Sequence, residues 1–367
     1  MDDTTWIAGS KRGLTDQLIV AEKFNRYNGT KVNPDKSKLI VINNSENLEE
    51  RYIRYGTKNK IKIYPEKPNS STRFLGVWIS EKNNKKFIYD QIIRDVNIIF
   101  GLTSRKKLSP EQIKYVINAV VIPRIEYKSH LTVFTEYEAN RVTAKLRQVI
   151  KRKMNCSNTI PTVFLKNENV YKLIDFFERQ AENHINNLII RLNDEGSLGY
   201  TSEIRLRQLQ HSEWLHDNPL EIWNYNNINS FKSNLIAQVL CIMNNLGIAL
   251  KYNYNNNDYF KISPGKIPLI DIFKNDYRKY VKSFRNKELL YLEQFLYIGS
   301  KALREWNEMR KIYRGKIHKW WHQLLEKVTI NGSHLKREFL IEAETQEVVV
   351  QNKEILPYTR IDGRKNQ

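Results

Sequence analysis

The stretch SPEQIKYVINAVVIP (109–123) carries the pattern of a capped helix. Ser109 stands at the N-cap, Pro110 at the first helical position and Gln112 three residues after the cap, where its side chain can accept a hydrogen bond from the cap's backbone N–H. An apolar stripe at helical spacing follows, formed by Ile113, Val116, Ile117 and Val120. The pattern predicts a helix that ends before Pro123, because proline lacks the N–H that a helix interior needs.

The stretch TEYEANRVTAKLRQVIKRK (135–153) repeats this arrangement, with Thr135 as the cap and Glu138 in the position of Gln112. Two capped helices in succession predict a helical domain. The cations of the second helix lie opposite its apolar residues Val142, Leu146 and Ile150; they are Arg141, Lys145, Arg147, Lys151, Arg152 and Lys153. Such a face would meet nucleic-acid phosphates in salt-sensitive, sequence-independent contacts, although an ordinary solvated surface accounts for the same charges.

Short β-prone runs and one helical pattern precede these helices. The runs are TTWIA (4–8), KLIVIN (38–43), IKIY (61–64) and TRFLGVWIS (72–80), and the helical pattern is GLTDQLIVAEKFNRYN (13–28). Alternation along the last run places Phe74 and Trp78 on one face and Leu75 and Val77 on the other. The predicted fold class is therefore α+β, with a small sheet and a helix at the N-terminus and a predominantly α-helical remainder.

Charge composition favours a polyanionic partner. Lys and Arg number 60 against 40 Asp and Glu, so that the formal net charge is +20, and nucleic acid is the partner that such a balance indicates first. The two cysteines, Cys156 and Cys241, exclude a disulfide framework and fit a reducing compartment. No secretion signal and no continuous apolar run of membrane-spanning length is present, so we expect an intracellular protein, nuclear or cytoplasmic, without a membrane partner.

The second half of the chain predicts further helices. Asn-rich stretches at 224–230 and 251–259 are typical of loops or linkers, while 231–250 and 305–328 have helical patterns. RKIYRGKIHKWWH (310–322) mixes cations with Tyr313, Trp320 and Trp321, a combination that binds single strands, although helical spacing puts at least one tryptophan in a core. His318 and His322 lie one turn apart but have no obvious third metal ligand.

Several short motifs follow one another in a distinctive order. MDDTTWIAGS (1–10) begins with two aspartates, NPDKS (33–37) precedes a β-prone run, RFLGV (73–77) lies in another, and VVIPRIEYKSHL (120–131) precedes the basic helix. The order resembles the second half of the palm, continuing into the thumb, in reverse transcriptases of non-LTR (LINE-type) retrotransposons. The resemblance covers about residues 1–190.

The resemblance implies roles for particular residues. Asp2 and Asp3 match the catalytic Asp-Asp pair, which holds Mg²⁺ or Mn²⁺ in the family, while Lys36 would lie by the triphosphate and aid departure of pyrophosphate. A solvent-facing lysine in a Lys-rich loop explains Lys36 equally well. The hairpin that contacts the primer strand, and hence nucleic acid, would comprise Phe74, Leu75 and Gly76.

The chain also departs from the family pattern, because the first metal-binding aspartate and the fingers would precede Met1. We therefore expect a fragment that does not bind the metal stably and lacks polymerase activity alone, but retains non-specific nucleic-acid binding and can associate with a complementary polymerase fragment. The expected regions are a truncated palm (1–85), a thumb-like helical region (86–204), a C-terminal helical region of unknown role (205–335) and a tail (336–367). The alternative is a basic helical nucleic-acid-binding or adaptor protein unrelated to polymerases.

Overall fold

The structure, a computed structural model, describes residues 4–42, 52–56, 61–67, 70–80, 85–231, 234–250, 262, 265–297, 302–312 and 317–339. It has two small two-stranded sheets and is otherwise mostly helical, which confirms the predicted α+β class. The chain divides into two compact units, Met1–Gln180 and Ala181–Gln367.

The first unit begins with a helix and two antiparallel hairpins. Helix α1 spans Lys11–Tyr27, and the Ser10 side chain caps it by accepting a hydrogen bond from the Gly13 N–H. The strands are β1 (Ile53–Tyr55) paired with β2 (Ile61–Ile63), and β3 (Thr72–Phe74) paired with β4 (Val77–Ile79). Among the described residues the hairpins form separate sheets, so the single sheet that the sequence predicts is not found.

Two predicted strands are not formed as such. Residues 4–8 are irregular, and of the run 38–42 only Leu39 makes a β-bridge, to Pro65, while residue 43 lies outside the described part. A β-prone run becomes a strand only where a neighbouring strand accepts its backbone hydrogen bonds. No described segment pairs with residues 4–8, which explains the difference.

Helices make up the rest of this unit. They are α2 (Lys85–Arg105), α3 (Pro110–Tyr115), α4 (Ile122–Ser129), α5 (Glu136–Lys153), α6 (Thr162–Lys166) and α7 (Phe176–Leu192), the last of which continues into the second unit. Both predicted capping boxes are present. In the second, the Glu138 carboxylate accepts from the Thr135 N–H at 2.7 Å, and the Thr135 hydroxyl accepts from the Glu138 N–H at 3.3 Å.

The helix that starts at Pro110 does not end before Pro123, contrary to the prediction. A π-helical segment, Val116–Val121, joins α3 directly to α4, and the Ile122 N–H donates to the carbonyl of Ile117, five residues back. Proline disrupts an α-helix partly because its ring meets the carbonyl four residues earlier. The wider π turn changes this local geometry, so that the chain stays helical through Pro123.

The core of the first unit lies between α2, the α3–α4 helix and α5. Val142, Leu146 and Ile150 of α5 are all buried, as the sequence predicts. The buried amide of Gln180 fixes the segment before α5, because it accepts from the Phe134 N–H at 2.8 Å and donates to the Phe134 carbonyl at 3.0 Å. The predicted stripe of α3 is only partly right, since Val120 is 47% exposed.

The second unit is helical, with a core rich in aromatic residues. Its further helices are α8 (Ser197–Glu213), α9 (Pro219–Ile222), α10 (Leu235–Asn245), α11 (Leu269–Phe273), α12 (Tyr277–Asn286), α13 (Trp306–Ile312) and α14 (Lys319–Val328). Within the described residues, no helix combines the length and the apolar content that crossing a membrane requires. The Asn-rich stretch 224–230 contributes buried Ile228 to this unit, whereas 251–259 lies outside the described part.

Candidate nucleic-acid interface

The β3–β4 hairpin carries at its tip the residues for which the resemblance implies primer contact, Phe74, Leu75 and Gly76. Leu75 and Gly76 form its two-residue turn with φ values of 45° and 86°, the left-handed conformations of a tight hairpin turn. Leu75 is 63% exposed and Phe74 is 37% exposed, so that the tip presents an apolar surface to solvent.

A tyrosine of α4 fixes this tip. The Tyr127 hydroxyl donates a hydrogen bond to the Leu75 carbonyl, and the Tyr127 ring passes so close to Gly76 that a Cβ there would lie 2.7 Å from Cε1. Glycine is therefore required twice at this position, for its φ and for the close approach. At the base of the hairpin, the Trp78 and Phe87 rings meet edge to face, with centroids 5.0 Å apart.

The face assignment made from the sequence is wrong for this hairpin. Phe74 lies opposite Val77, and Arg73 lies opposite Trp78. Directly paired residues of an antiparallel sheet share a face, so Phe74 shares one with Val77, and Trp78 lies on the other. The prediction treated 72–80 as one continuous strand, and the turn at Leu75 and Gly76 reverses the chain within it.

Helices α2 and α5 pack side by side and run in the same direction. Three contacts fix this direction: the Lys85–Glu138 ion pair (Nζ–Oε2 2.6 Å), the Lys145–Asn97 hydrogen bond (Nζ–Oδ1 2.8 Å) and the Lys153–Lys106 hydrogen bond (Nζ to carbonyl O 2.8 Å). The C-terminal ends of both helices therefore lie together. Each end carries partial negative charge, which favours cations there.

These two ends gather five cations, which we call the basic end: Arg105, Lys106, Lys107, Arg152 and Lys153. The first four are exposed and Lys153 is half-buried. In the described part of the chain, no ion pair joins any of the five to a carboxylate. The partial negative charge of the two helix ends stabilises some of these cations. Because none of the five is paired with a carboxylate in the described part of the chain, the surface remains cationic.

The six cations predicted on α5 have different environments. Lys151 is 9% exposed, and its ammonium donates to the carbonyls of Asn158 and Ile160, so it holds a loop of the same domain.

Arg147 is half-buried and donates to the Thr143 hydroxyl and to the Asn140 carbonyl, and burial lowers the pKa of its guanidinium. Arg141, Lys145 and Arg152 are exposed. The predicted single cationic face is thus divided between structural and solvent-facing residues.

Sequence reasoning missed Arg105, Lys106 and Lys107. A signal was available, since three consecutive cations follow the helical pattern that begins near residue 87. Their proximity to α5 depends on the parallel packing of α2 and α5, which no local pattern indicates.

Of the three predicted catalytic residues, only Lys36 lies in the described part of the chain. Asp2 and Asp3 lie outside the described residues. Lys36 is exposed at the end of a 3₁₀ turn (Pro34–Lys36), in which the Asn33 side chain accepts from the Asp35 N–H at 3.0 Å. Among the described residues, no group of three or more His, Cys, Asp or Glu side chains is placed to hold a metal ion. The catalytic roles of Asp2, Asp3 and Lys36 stay predictions.

The two tryptophans of 317–322 belong to the core of the second unit. Trp320 and Trp321 are 1% and 4% exposed, so both are buried where the sequence required only one to be. The His318 ring stacks on Trp320 with an interplanar angle of 11°, while His322 is exposed. Burial leaves neither tryptophan a free face for a base, and Tyr313 lies outside the described residues.

The chain matches no protein-family model, no curated protein and no solved structure.

Proposed function

We propose that this chain is a nucleic-acid-binding part of a reverse transcriptase of the non-LTR retrotransposon type. The basic end meets the phosphate backbone, and the β3–β4 hairpin contacts the end of a primer strand.

One observation carries nucleic-acid binding: the parallel packing of α2 and α5 concentrates five cations at one place without an acidic partner among the described residues. Lysine and arginine at such a surface displace counterions from a phosphate backbone, which gives affinity without sequence preference. The formal net charge of the whole chain, +20, also attracts a phosphate backbone, and it does so over longer distances.

The assignment to reverse transcriptases is supported by the order of motifs and by the form of one of them. The Phe74–Leu75–Gly76 motif lies at the tip of an exposed hairpin held against a helix by Tyr127. An apolar tip next to a helical domain suits contact with the sugars and the terminal base of a strand.

The binding proposal is tested by titrating labelled duplex DNA and an RNA–DNA hybrid at a series of salt concentrations. We expect log affinity to fall linearly with log salt. Replacing Arg105, Lys107 and Arg152 together by glutamine should flatten the slope by about one for each lost phosphate contact.

A matched variant distinguishes a local surface from net charge. Arg205, Lys282 and Lys311 are exposed cations of the second unit, and their replacement by glutamine removes the same charge. We expect this variant to keep most of the wild-type slope. Equal loss in both triple variants, or no salt dependence in the wild type, contradicts the proposal.

The hairpin distinguishes a polymerase remnant from an unrelated basic protein. Replacing Phe74 and Leu75 by alanine should weaken binding to a duplex with a recessed 3′ end more than binding to a blunt duplex of equal length. The exposed tip loses its apolar surface while the domain core is unchanged. An equal effect on both duplexes would favour the unrelated nucleic-acid-binding or adaptor protein.

A further inference from the structure

The outer face of the β1–β2 hairpin alternates aromatic and cationic residues. Arg54 lies directly opposite Lys62, and the same register places Tyr52 opposite Tyr64 just beyond the paired residues. These four side chains share one face, because residues two apart along a strand point the same way. The Tyr52 and Tyr64 rings lie 5.8 Å apart between centroids.

The opposite face of this hairpin is used for packing. Ile53 is 6% exposed, and the Tyr55 hydroxyl accepts a hydrogen bond from the Asn25 side chain of α1 at 3.3 Å. The alternation therefore separates an inner face that attaches to α1 from an outer face that meets solvent. Tyr64 on the outer face is 60% exposed.

Three cations converge on one ring of the outer face. The charged groups of Lys11, Arg54 and Lys62 lie 5.3, 5.5 and 4.8 Å from the Tyr52 ring centroid. The Arg54 guanidinium also donates to the Tyr52 hydroxyl at 3.1 Å, and this bond holds the pKa of Tyr52 below its ordinary value. The electron-rich ring attracts each cation, but the cations repel one another.

A bound anion would relieve this repulsion, and the neighbouring ring indicates which anion. Among the described residues, Arg54 and Lys62 form no ion pair with a carboxylate. A phosphate held by Arg54 and Lys62 would lie beside the Tyr52 ring, and the exposed Tyr64 ring is the next ring on the same face. Cations that follow a backbone beside an aromatic ring are the combination that binds unpaired nucleotides. A duplex fits poorly, because its bases are already stacked and paired.

We propose that this outer face is a second nucleic-acid site, specific for single strands, in which Arg54 and Lys62 hold a phosphate and Tyr64 stacks on a base. The site deepens the proposed function and rests on it. Its role differs from that of the basic end, which meets any phosphate backbone.

The test compares binding of labelled oligo(dT) and of duplex DNA by fluorescence anisotropy. Tyr64→Leu should weaken oligo(dT) binding about tenfold, since stacking on an aromatic ring is lost, and should leave duplex binding unchanged. Tyr64→Phe keeps the ring and should bind like the wild type. Tyr27→Leu changes another exposed tyrosine, 91% exposed on α1, and should have no effect.

Charge variants test the phosphate position. Arg54→Gln and Lys62→Gln should each reduce the salt slope for oligo(dT) by about one, with a smaller effect on duplex DNA. Circular dichroism spectra of all variants verify that the hairpin changes leave the helices folded.

The outcomes separate the two proposals. If Tyr64→Leu and Arg54→Gln leave oligo(dT) binding unchanged while the triple variant of the basic end weakens it, the second site is refuted and the proposed function stands. If the wild type binds neither probe, both fail. Arg54-dependent binding of polyglutamate that is tighter than binding of oligo(dT) would refute the site in favour of an acidic protein partner.

Discussion

Cations and aromatic rings lie together in two regions of the molecule, with opposite exposure. On the outer face of β1–β2, Tyr64 is 60% exposed beside Arg54 and Lys62. In the second unit, the Arg278 guanidinium lies 3.9 Å from the Phe231 ring centroid and pairs with Glu213 (Nε–Oε2 3.3 Å), and Trp320 of the same unit is 1% exposed.

The difference shows that a basic-aromatic composition does not by itself make a binding surface. The β1–β2 hairpin packs one face near α1, so its other face stays available to a ligand. The second unit buries Phe231 and Trp320, and Arg278 there is compensated by the carboxylate of Glu213. An exposed aromatic ring can stack on a base, whereas a buried ring belongs to the core.

The largest expected effect tests the buried side of this comparison. Trp320→Ala should lower the free energy of unfolding by about 3–5 kcal/mol, because a fully packed indole is removed and the Ser283 hydroxyl loses the Nε1–H donor at 3.0 Å. Urea denaturation measures it, with Tyr64→Ala as the exposed control, expected within about 0.5 kcal/mol of wild type. A stable Trp320→Ala protein with weakened oligo(dT) binding would break the comparison.

The second effect concerns the hairpin tip. Gly76→Ala should lower the free energy of unfolding by about 2–3 kcal/mol, since the new Cβ meets Tyr127 and the φ of 86° disfavours an L side chain. Gly29→Ala is the matched control, because Gly29 also has positive φ but open space around it, and should lower it by about 1 kcal/mol.

A double variant separates the two causes at Gly76. In a Tyr127→Ala background the crowding is removed, so Gly76→Ala should lower stability only as much as Gly29→Ala does. An unchanged effect in that background would show that the ring contact contributes nothing.

The third prediction is that two neighbouring cations of α5, Lys151 and Arg152, have different roles, one in stability and the other in binding. Lys151→Met should lower the free energy of unfolding by about 1–2 kcal/mol, because the carbonyls of Asn158 and Ile160 lose their donor, and should leave the salt slope of binding unchanged. Arg152→Met should do the reverse, with nearly unchanged stability and a slope lower by about one. Chemical denaturation and anisotropy titration of both variants check this pair, and identical behaviour would contradict it.

The smallest effect depends on pH. Burial raises the pKa of Glu138, but hydrogen bonds from Lys85 and the Thr135 N–H outweigh this and hold the pKa below its ordinary value. The folded state thus releases this proton more readily, so the stabilisation is complete above the ordinary carboxyl pKa and is lost as pH falls through the lower folded value.

We expect this contribution to stay under about 1 kcal/mol, since the Glu138 side chain is partly exposed. Urea midpoints measured across the acidic range should fall less steeply for Glu138→Gln than for the wild type. Parallel curves for the two proteins would show that another carboxylate causes the acid sensitivity.

Local features of the fold could be predicted from the sequence. The boxes at Ser109 and Thr135 join residues three apart, so a short pattern contains all of the information. Helix α1 and its stop before Gly29 are local in the same way. The turn inside 72–80 was missed because leucine seldom adopts a positive φ such as that of Leu75, so that only Gly76 indicated a turn.

Long-range features could not be predicted. The basic end exists because Lys153 reaches the carbonyl of Lys106, and no periodicity encodes that packing direction. Lys151 was grouped with the surface cations because the loop carbonyls that engage it follow the helix in irregular chain. The β1–β2 face went unnoticed because β1 carries no run long enough to mark a strand.

The π segment Val116–Val121 sets the direction, around the helix axis, in which every later side chain of the α3–α4 helix points. Buried positions of the α3–α4 helix repeat every four residues, at Ile113, Ile117, Val121, Ile125 and Ser129. In an uninterrupted α-helix a period of four advances by about 40° at each step, or about 160° over the series, which would turn the last positions away from the core. The wider turn at Val116–Val121 absorbs part of that rotation. The direction in which Tyr127 points, toward the hairpin tip, therefore depends on the underwinding at Val116–Val121 earlier in the same helix.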